Sequence, residues 1–434
     1  MEGGVNWFAR SFAFAPDTSE LIVGGSFRYC GQDSLPARGL AAWDGMQWSM
    51  DGLGGGDGLP LESTGCPVPT MAWFHDTLFL GPYCGGYQWV EEWGKGVYLA
   101  NGQWHGMGEV DGPLWILPVD DRLFVGGVAS TVNGQYMPGV REWRMDSLRP
   151  LPNAPWTLPA SVYGAASWKD RYYFGGVFQV LGSRKIVSFD GVDQWEGLAG
   201  GVGGNFVSAL CGYGDSLYVG GFFLNGSDPD VYSDHLQVWD GTAWHPFFPQ
   251  VDFEGSVSDI QVHGGALYIS GVYHFVGDTT LYGVLRYDGQ QLCALGGHMY
   301  SDHGDMAFFQ NDLYMVLPPQ NPQLPYEFIG YLDLDTVEPD TCVQVSTGLP
   351  ERGVAVPITI HPNPATELVQ VALPAGGTLR MVEVQDALGR VVHHQALRAR
   401  SATTLEVAAW PAGCYLVRVE DQHGRRGSAR FIKH

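Results

Sequence analysis

Leu217-Tyr218-Val219-Gly220-Gly221 decides the fold: an apolar residue on each side of an aromatic, then a glycine pair. Six other stretches copy it. They are Leu21-Ile22-Val23-Gly24-Gly25, Leu78-Phe79-Leu80-Gly81, Leu123-Phe124-Val125-Gly126-Gly127, Tyr172-Tyr173-Phe174-Gly175-Gly176, Leu267-Tyr268-Ile269-Ser270-Gly271 and Leu313-Tyr314-Met315-Val316. Successive copies start 57, 45, 49, 45, 50 and 46 residues apart. A nearly fixed period of that size marks a repeat architecture.

Working outward from one copy gives the grammar of a repeat. Ser256 to Val262 alternates in period two and predicts a strand, His263-Gly264-Gly265 a turn, and Leu267-Tyr268-Ile269 a second strand. A variable loop leads to Val284-Leu285-Arg286-Tyr287, the turn Asp288-Gly289, and a fourth strand from Gln291. The same turn recurs at Asp44-Gly45, Asp190-Gly191 and Asp240-Gly241, with Asn101-Gly102 as a variant. Such dipeptides predict hairpins with both central residues at positive φ. A Trp opens several fourth strands: Trp48, Trp104, Trp195 and Trp244. Four antiparallel strands in each of seven repeats predict an all-β, seven-bladed β-propeller over residues 1–350. Blades three and seven are degenerate, and six or eight blades also fit. The glycine pairs are expected to let strands pass close to neighbouring backbone.

The grammar changes after Pro350. Residues 351–357 read as a linker. Six or seven short alternating strands over 358–434 predict a small Ig-like antiparallel β-sandwich.

Charge separates the same two parts. The chain carries −23 overall. Residues 352–434 hold 10 Lys+Arg against 6 Asp+Glu, or +4, and the remainder 13 against 40, or −27. An acidic body lacks the basic footprint that nucleic-acid binding needs. No apolar run approaches the ~18 residues of a transmembrane segment. Met1-Glu2-Gly3-Gly4 has neither the basic nor the apolar region of a signal peptide. Gly3 to Phe8 resembles the inter-repeat stretch Gly200 to Phe206, so the chain is expected to begin at a repeat boundary, with a leader and one more strand upstream.

No G-x-S-x-G, HExxH or P-loop is present. Sialidase-type Asp boxes fail, because Asp240-Gly241 and Asp190-Gly191 are adjacent where that motif separates them by one residue. Oxygen-rich loops remain. Asp228, Asp230 and Asp234 could hold calcium, the one cofactor the sequence suggests, and Asp302, His303 and Asp305 form a second acidic cluster near His298. Neither has EF-hand spacing, and a solvated acidic loop is the plainer reading of both. Of seven cysteines, Cys30, Cys66 and Cys84 are expected in loops, with Cys66–Cys84 the favoured disulfide; Cys211, Cys293 and Cys342 are expected as buried thiols in strands. The loops between second and third strands are long and rich in aromatics. Tyr87, Trp89, Trp93, Tyr136, Tyr232, Tyr282 and Tyr326 are the candidate ligand-binding face.

The repeats resemble kelch repeats, and more closely those of cortical cell-polarity marker proteins and their bacterial relatives, over about residues 1–348. That resemblance implies binding more often than catalysis. The C-terminal part carries Pro362-Asn363-Pro364-Ala365-Thr366, then Asp386-x-x-Gly389-Arg390, then Pro411-Ala412-Gly413-Cys414-Tyr415, then Arg430-Phe431-Ile432-Lys433. In this order these resemble the type A C-terminal sorting domain of the type IX (Por) secretion system, with Trp410 where Leu is usual. The resemblance implies export across a Gram-negative envelope to the cell surface or the medium. It also implies as partners the outer-membrane translocon and a sorting peptidase. An Ig-like adhesive domain is the plain alternative. For the repeat part, the expectation is a non-catalytic module for an extracellular glycan or protein. A polysaccharide hydrolase or lyase with scattered carboxylates, or a surface-layer component, is the alternative.

Overall fold

The computed structural model describes residues 4–14, 19–54, 67–82, 96–110, 112–128, 131–157, 160–223, 235–247, 251–252, 256–271, 273–275, 279–281, 284–297, 305–317, 329–344, 358–373, 378–385, 391–421 and 426–433. Among these residues every regular element is a strand and there is no helix. The chain divides into two compact units, Met1–Gln344 and Val345–His434.

In the first unit each copy of the organising stretch is a strand buried between two partners. Ser216–Phe222 pairs antiparallel with Phe206–Tyr213 on one side and Leu236–Trp239 on the other, and Trp244–Pro246 completes the sheet. The first, second and fifth repeats are four-stranded sheets in chain order. The third and fourth are joined through Gly127–Val162 into one eight-stranded sheet, curled as a half-barrel. The opening strands are Ala9–Phe14, Met71–Phe74, Leu114–Val119, Ser161–Trp168, Phe206–Tyr213, Val257–His263 and Met306–Phe309. Each contacts the next, and the last contacts the first.

The glycine pair explains how these sheets come so close. A Cβ on Gly220 would lie 2.5 Å from Val257 Cγ1 in the next opening strand, and one on Gly221 would strike the carbonyl of Phe206 in its own sheet. Gly175 and Gly176 repeat both contacts against Val207 and Ser161. The first glycine thus serves packing between sheets, and the second admits a bulge in the opening strand, seen as a register shift at Val207/Ala209. Apolar cores form between consecutive sheets. One unites Ile22, Leu40 and Met71 with Leu78 and Leu80; another unites Ala9, Phe12 and Val23 with Phe309 and Tyr314, sealing the last repeat to the first.

The turn dipeptides work differently from the expectation. Gly45, Gly191, Gly241 and Gly289 have φ of 98°, 87°, 105° and 92°, but their aspartates are not at positive φ. Each Asp instead accepts backbone N–H groups: Asp240 Oδ1 from Thr242 and Ala243 at 2.7 and 2.8 Å, and Asp44 Oδ1 from Met46 and Gln47, both at 2.7 Å. These donors hold the Asp44, Asp190, Asp240 and Asp288 carboxyls below the usual carboxylate range. Only Asn101-Gly102 has both residues positive, at 51° and 72°. Two of the Trp residues reach back one repeat: Trp244 Nε1 donates to Leu198 O at 3.0 Å and Trp195 Nε1 to Pro152 O at 2.9 Å.

Cysteine placement also corrects the sequence reading. Cys293 and Cys342 form a disulfide between directly paired residues. Thr341–Gln344 follows the seventh repeat in the chain, yet it adds to the outer edge of the sixth repeat's sheet. Two cysteines expected as buried thiols from their strand positions thus become cross-strand neighbours, because the last strand crosses to another sheet. Cys30 lies fully buried in the short strand Tyr29–Cys30 rather than in an exposed loop. Burial pushes the Cys30 and Cys211 thiols up to about 12. Cys66 and Cys84 lie outside the described residues.

The second unit has two sheets sharing one core. Thr359–His361, Leu368–Ala372 and Ala402–Glu406 form one; Val391–Arg400, Leu379–Gln385, Gly413–Asp421 and Arg426–Lys433 form the other. Val369, Val371 and Leu405 meet Val382, Val417 and Phe431 between them.

Replacing Gly220 by Ala forces Val257 to move within a packed seam. The expected loss is about 1–3 kcal/mol, read as a lower urea midpoint with the far-UV circular dichroism of the folded state unchanged. An unchanged midpoint would show that the seam has slack.

Candidate functional site

The opening strands enclose a cavity of about 540 Å³. Its wall takes residues from all seven repeats, from Arg10 and Met71 through Ile116, Gly164 and Leu210 to Asp259 and Asp305. Period two turns alternate side chains of each opening strand toward it. Small and hydroxyl residues there tie one repeat to the next: Ser11 Oγ donates to Val68 O at 2.8 Å, and Ser208 Oγ to Val257 O at 3.3 Å.

Two features give the cavity chemistry. The first is an aromatic arc across three consecutive repeats. Trp115 and Tyr163 lie 5.0 Å apart between ring centres, and Tyr163 and Phe206 lie 6.2 Å apart edge to face. All three line the cavity and are half-buried.

The second is a carboxyl pair where the sixth, seventh and first repeats meet. Asp259 Oδ1 accepts Ile260 N at 2.8 Å, and its Oδ2 accepts Gln261 Nε2 at 2.7 Å and Met306 N at 3.1 Å. Asp305 Oδ2 accepts Phe12 N at 3.4 Å, and the two carboxyl groups are hydrogen-bonded to each other. Burial raises both, and the adjacent Asp259 charge pushes Asp305 well above the usual range. The two carboxyls act as one coupled pair, with Asp305, which has one long contact against Asp259's three donors, the more strongly raised. Ser258 adds a buried hydroxyl to the same wall with no partner among the described residues. No histidine lines the cavity among those residues, and no group of three metal-ligating side chains is found among them.

Neither feature was singled out from the sequence. Asp305 was placed in an acidic loop, although it abuts the strand Met306–Phe309, and Asp259 was read only as one residue of an alternating strand. The legible signal was an Asp in an opening strand, at the register position where the first and fifth repeats place Ser11 and Ala209. Of the aromatic face, Tyr136 lies in the short hairpin of Thr131–Val132 with Gln135–Tyr136 and is 52% exposed, away from the cavity-lining set. Tyr87, Trp89, Trp93, Tyr232, Tyr282 and Tyr326 lie outside the described residues, as do Asp228, Asp230 and Asp234. A second cavity, about 610 Å³, is lined by turn residues including His75, Asp121 and Met145. Its Arg122 is engaged in packing: it pairs with Glu142 Oε1 at 2.7 Å and covers the Phe124 ring at 4.9 Å.

In the C-terminal unit the sequence-predicted sorting residues converge. Asn363, between Pro362 and Pro364, bonds through its side chain to the backbone of Arg430 and Ile432. Gly413 pairs with Lys433, and the Tyr415 hydroxyl donates to Pro411 O at 2.8 Å. Tyr415 stacks on Phe431 at 5.4 Å, with Trp410 at 5.2 Å from Tyr415. Gly389 and Arg390 lie outside the described residues.

Residues 359–434 match the family described as the secretion system C-terminal sorting domain. This match supports secretion by the type IX system, to the cell surface or extracellular space, and implies interaction with that machinery. No curated protein matches the chain. Among solved structures, the extracellular domain of a hybrid two-component system protein of B. thetaiotaomicron is 12% identical, with a TM-score of 0.45 over 99% of this chain and 52% of that one. The present chain therefore spans about half the length of that relative. A second such extracellular domain from B. thetaiotaomicron is 9% identical, with a TM-score of 0.31 over 98% of this chain and 68% of that one. A Thermus thermophilus protein described as an oxidoreductase (glucose dehydrogenase) is 12% identical, with a TM-score of 0.30 over 73% of this chain and 92% of that one. No helix among the described residues is long and apolar enough to cross a membrane.

The shared proton makes a pH prediction. The folded pair keeps a proton that the unfolded chain releases near pH ~4. Its contribution to stability is full below that pH and is lost as pH rises through the folded value. Asp305→Asn mimics the protonated acid and cannot ionise. Urea midpoints of the variant and the wild type should therefore diverge in the variant's favour as pH rises above about pH 4. Parallel midpoints across that range would contradict the shared proton.

Proposed function

We propose that the chain is cargo of the type IX secretion system whose first unit is a seven-bladed β-propeller binding an extracellular glycan in its axial cavity. The closed circuit of opening strands supports the seven-bladed reading. The aromatic arc of Trp115, Tyr163 and Phe206 carries the ligand class. Half-buried rings in a concave site offer apolar faces to the C–H surface of a sugar, and they keep their polar edges wet. Asp305, Asp259 and Ser258 supply the few fixed polar groups that orient such a ligand.

One observation favours a second reading, a secreted hydrolase. A neutral acid beside a carboxylate is the pairing that acid–base cleavage uses. In the binding reading the pair only holds hydroxyls. The C-terminal unit serves as the address and is removed by the sorting peptidase after passage through the outer-membrane translocon.

The test is a glycan array with the purified full chain, followed by titration of the best ligand. Trp115→Ala should weaken binding at least about tenfold, the loss typical of truncating a central aromatic anchor, with no products released on prolonged incubation. Products that disappear in Asp305→Asn would replace binding with catalysis. Unaltered affinity in Trp115→Ala would remove the cavity as the site.

A further inference from the structure

The strand Arg426–Lys433 is the last of the chain and the edge of its sheet. One side of its backbone pairs with Gly413–Asp421, in register from Gly413–Lys433 to Glu420–Arg426. The other side would be bare, and terminal edge strands fray unless something ties them down.

At residues 430–433 it is not bare. The Asn363 carboxamide donates from Nδ2 to Arg430 O at 3.1 Å and accepts Ile432 N on Oδ1 at 2.9 Å. Those two backbone groups are the pair that a neighbouring strand residue would engage. Ala365 continues the contact: its N–H donates to Ile432 O at 2.8 Å, and it bridges Lys433 in parallel register. Ala365 is fully buried, while Phe431 at 0% and Lys433 at 7% exposure turn inward from the same strand. Asparagine suits the task because one planar group presents a donor and an acceptor side by side. Flanking prolines limit the backbone freedom that would otherwise swing that group away.

We propose that Asn363 is a positioning residue for the sorting signal. Its carboxamide latches the terminal strand, so that Pro362–Pro364 and Arg430–Lys433 are presented to the secretion machinery as one folded surface rather than as two linear motifs. The inference rests on the export reading above. It goes further by making the signal conformational and by naming the residue that sets the conformation.

Three full-length variants test it in a host with the type IX pathway, beside a deletion of residues 359–434. Asn363→Ala removes both bonds. Asn363→Asp keeps the acceptor and loses the donor. Ile432→Pro removes the donor from the opposite partner; its N–H points to Asn363, away from Gly413–Asp421, so the ladder to that strand survives.

Hydrogen exchange of the purified variants should show the amides of residues 430–433 exchanging about tenfold faster in Asn363→Ala, as the loss of two modest hydrogen bonds implies. Amides at Val382 and Val417 in the centre of the sheet should keep their protection. Export should fall in Asn363→Ala and Ile432→Pro and by less in Asn363→Asp. The variant combining Asn363→Ala with Ile432→Pro should be no worse than Asn363→Ala alone, because the bond that Ile432→Pro breaks is already lost there.

If the deletion blocks export while Asn363→Ala and Ile432→Pro export normally with faster exchange at 430–433, the latch is irrelevant to sorting and the proposal fails. Unchanged exchange in Asn363→Ala also overturns it. If Asn363→Ala loses protection at Val382 and Val417 as well, Ile432→Pro decides: normal export with a loosened strand refutes the proposal. Export that survives the deletion refutes the export reading itself.

Discussion

Everything in the first unit depends on how closely two opening strands can approach. Consecutive repeats pack this closely because most of their second strands have no side chain where the next repeat's opening strand passes. Gly220 faces Val257, Gly175 faces Val207, and Gly24 faces Val68 and Met71. Where the first glycine of the pair is missing, Ser270 stands in at 0% exposure in the sixth repeat and Val316 at 6% in the seventh. The valines and methionines opposite are the residues whose burial holds the sheets together, so one constraint sets both spacing and cohesion.

The circuit also has a seam unlike the others. Between the first and second and between the fifth and sixth repeats, a serine hydroxyl reaches the neighbouring backbone. Where the sixth, seventh and first repeats meet, two carboxyl groups do the bridging, drawing in Met306 N and Phe12 N. Such a pair brings one buried charge that Ser–backbone contacts avoid, and it ties stability to protonation. It also faces the cavity to which every repeat contributes. An electrostatically costly pair in a cavity wall is a usual mark of a functional surface, and structural ion networks share that mark.

The C-terminal unit uses a different economy of contacts. Its apolar core is ordinary sandwich packing. The distinctive residues lie outside that core, in the Pro362–Pro364 turn, around Pro411 and Gly413, and along the last strand. Pairing of Gly413 with Lys433 and bonding of Asn363 to Arg430 and Ile432 bring together positions up to 69 residues apart. Motif residues spread along the chain are thus compact in space.

The sequence by itself determined the repeats, the all-β class and the C-terminal sorting domain. Each of these is written in local periodicity: apolar alternation, glycine pairs, Asp-Gly turns and short motifs in fixed order. Only the tertiary structure decided which distant residues meet. Asp259 and Asp305 lie 46 residues apart, and the opening strands that carry or adjoin them become neighbours only when the sheets pack side by side. Cys293 and Cys342 were read as separate thiols because nothing local says that Thr341–Gln344 leaves the seventh repeat for the sixth. The aspartate of the hairpin turn was identified correctly and its work misassigned, since composition shows that Asp belongs there and only geometry shows that its carboxylate, not its φ, does the turning. Local sequence encodes what each segment can be. Partners across a sheet seam follow from three-dimensional packing, in which residues far apart in the chain compete for the same few ångströms.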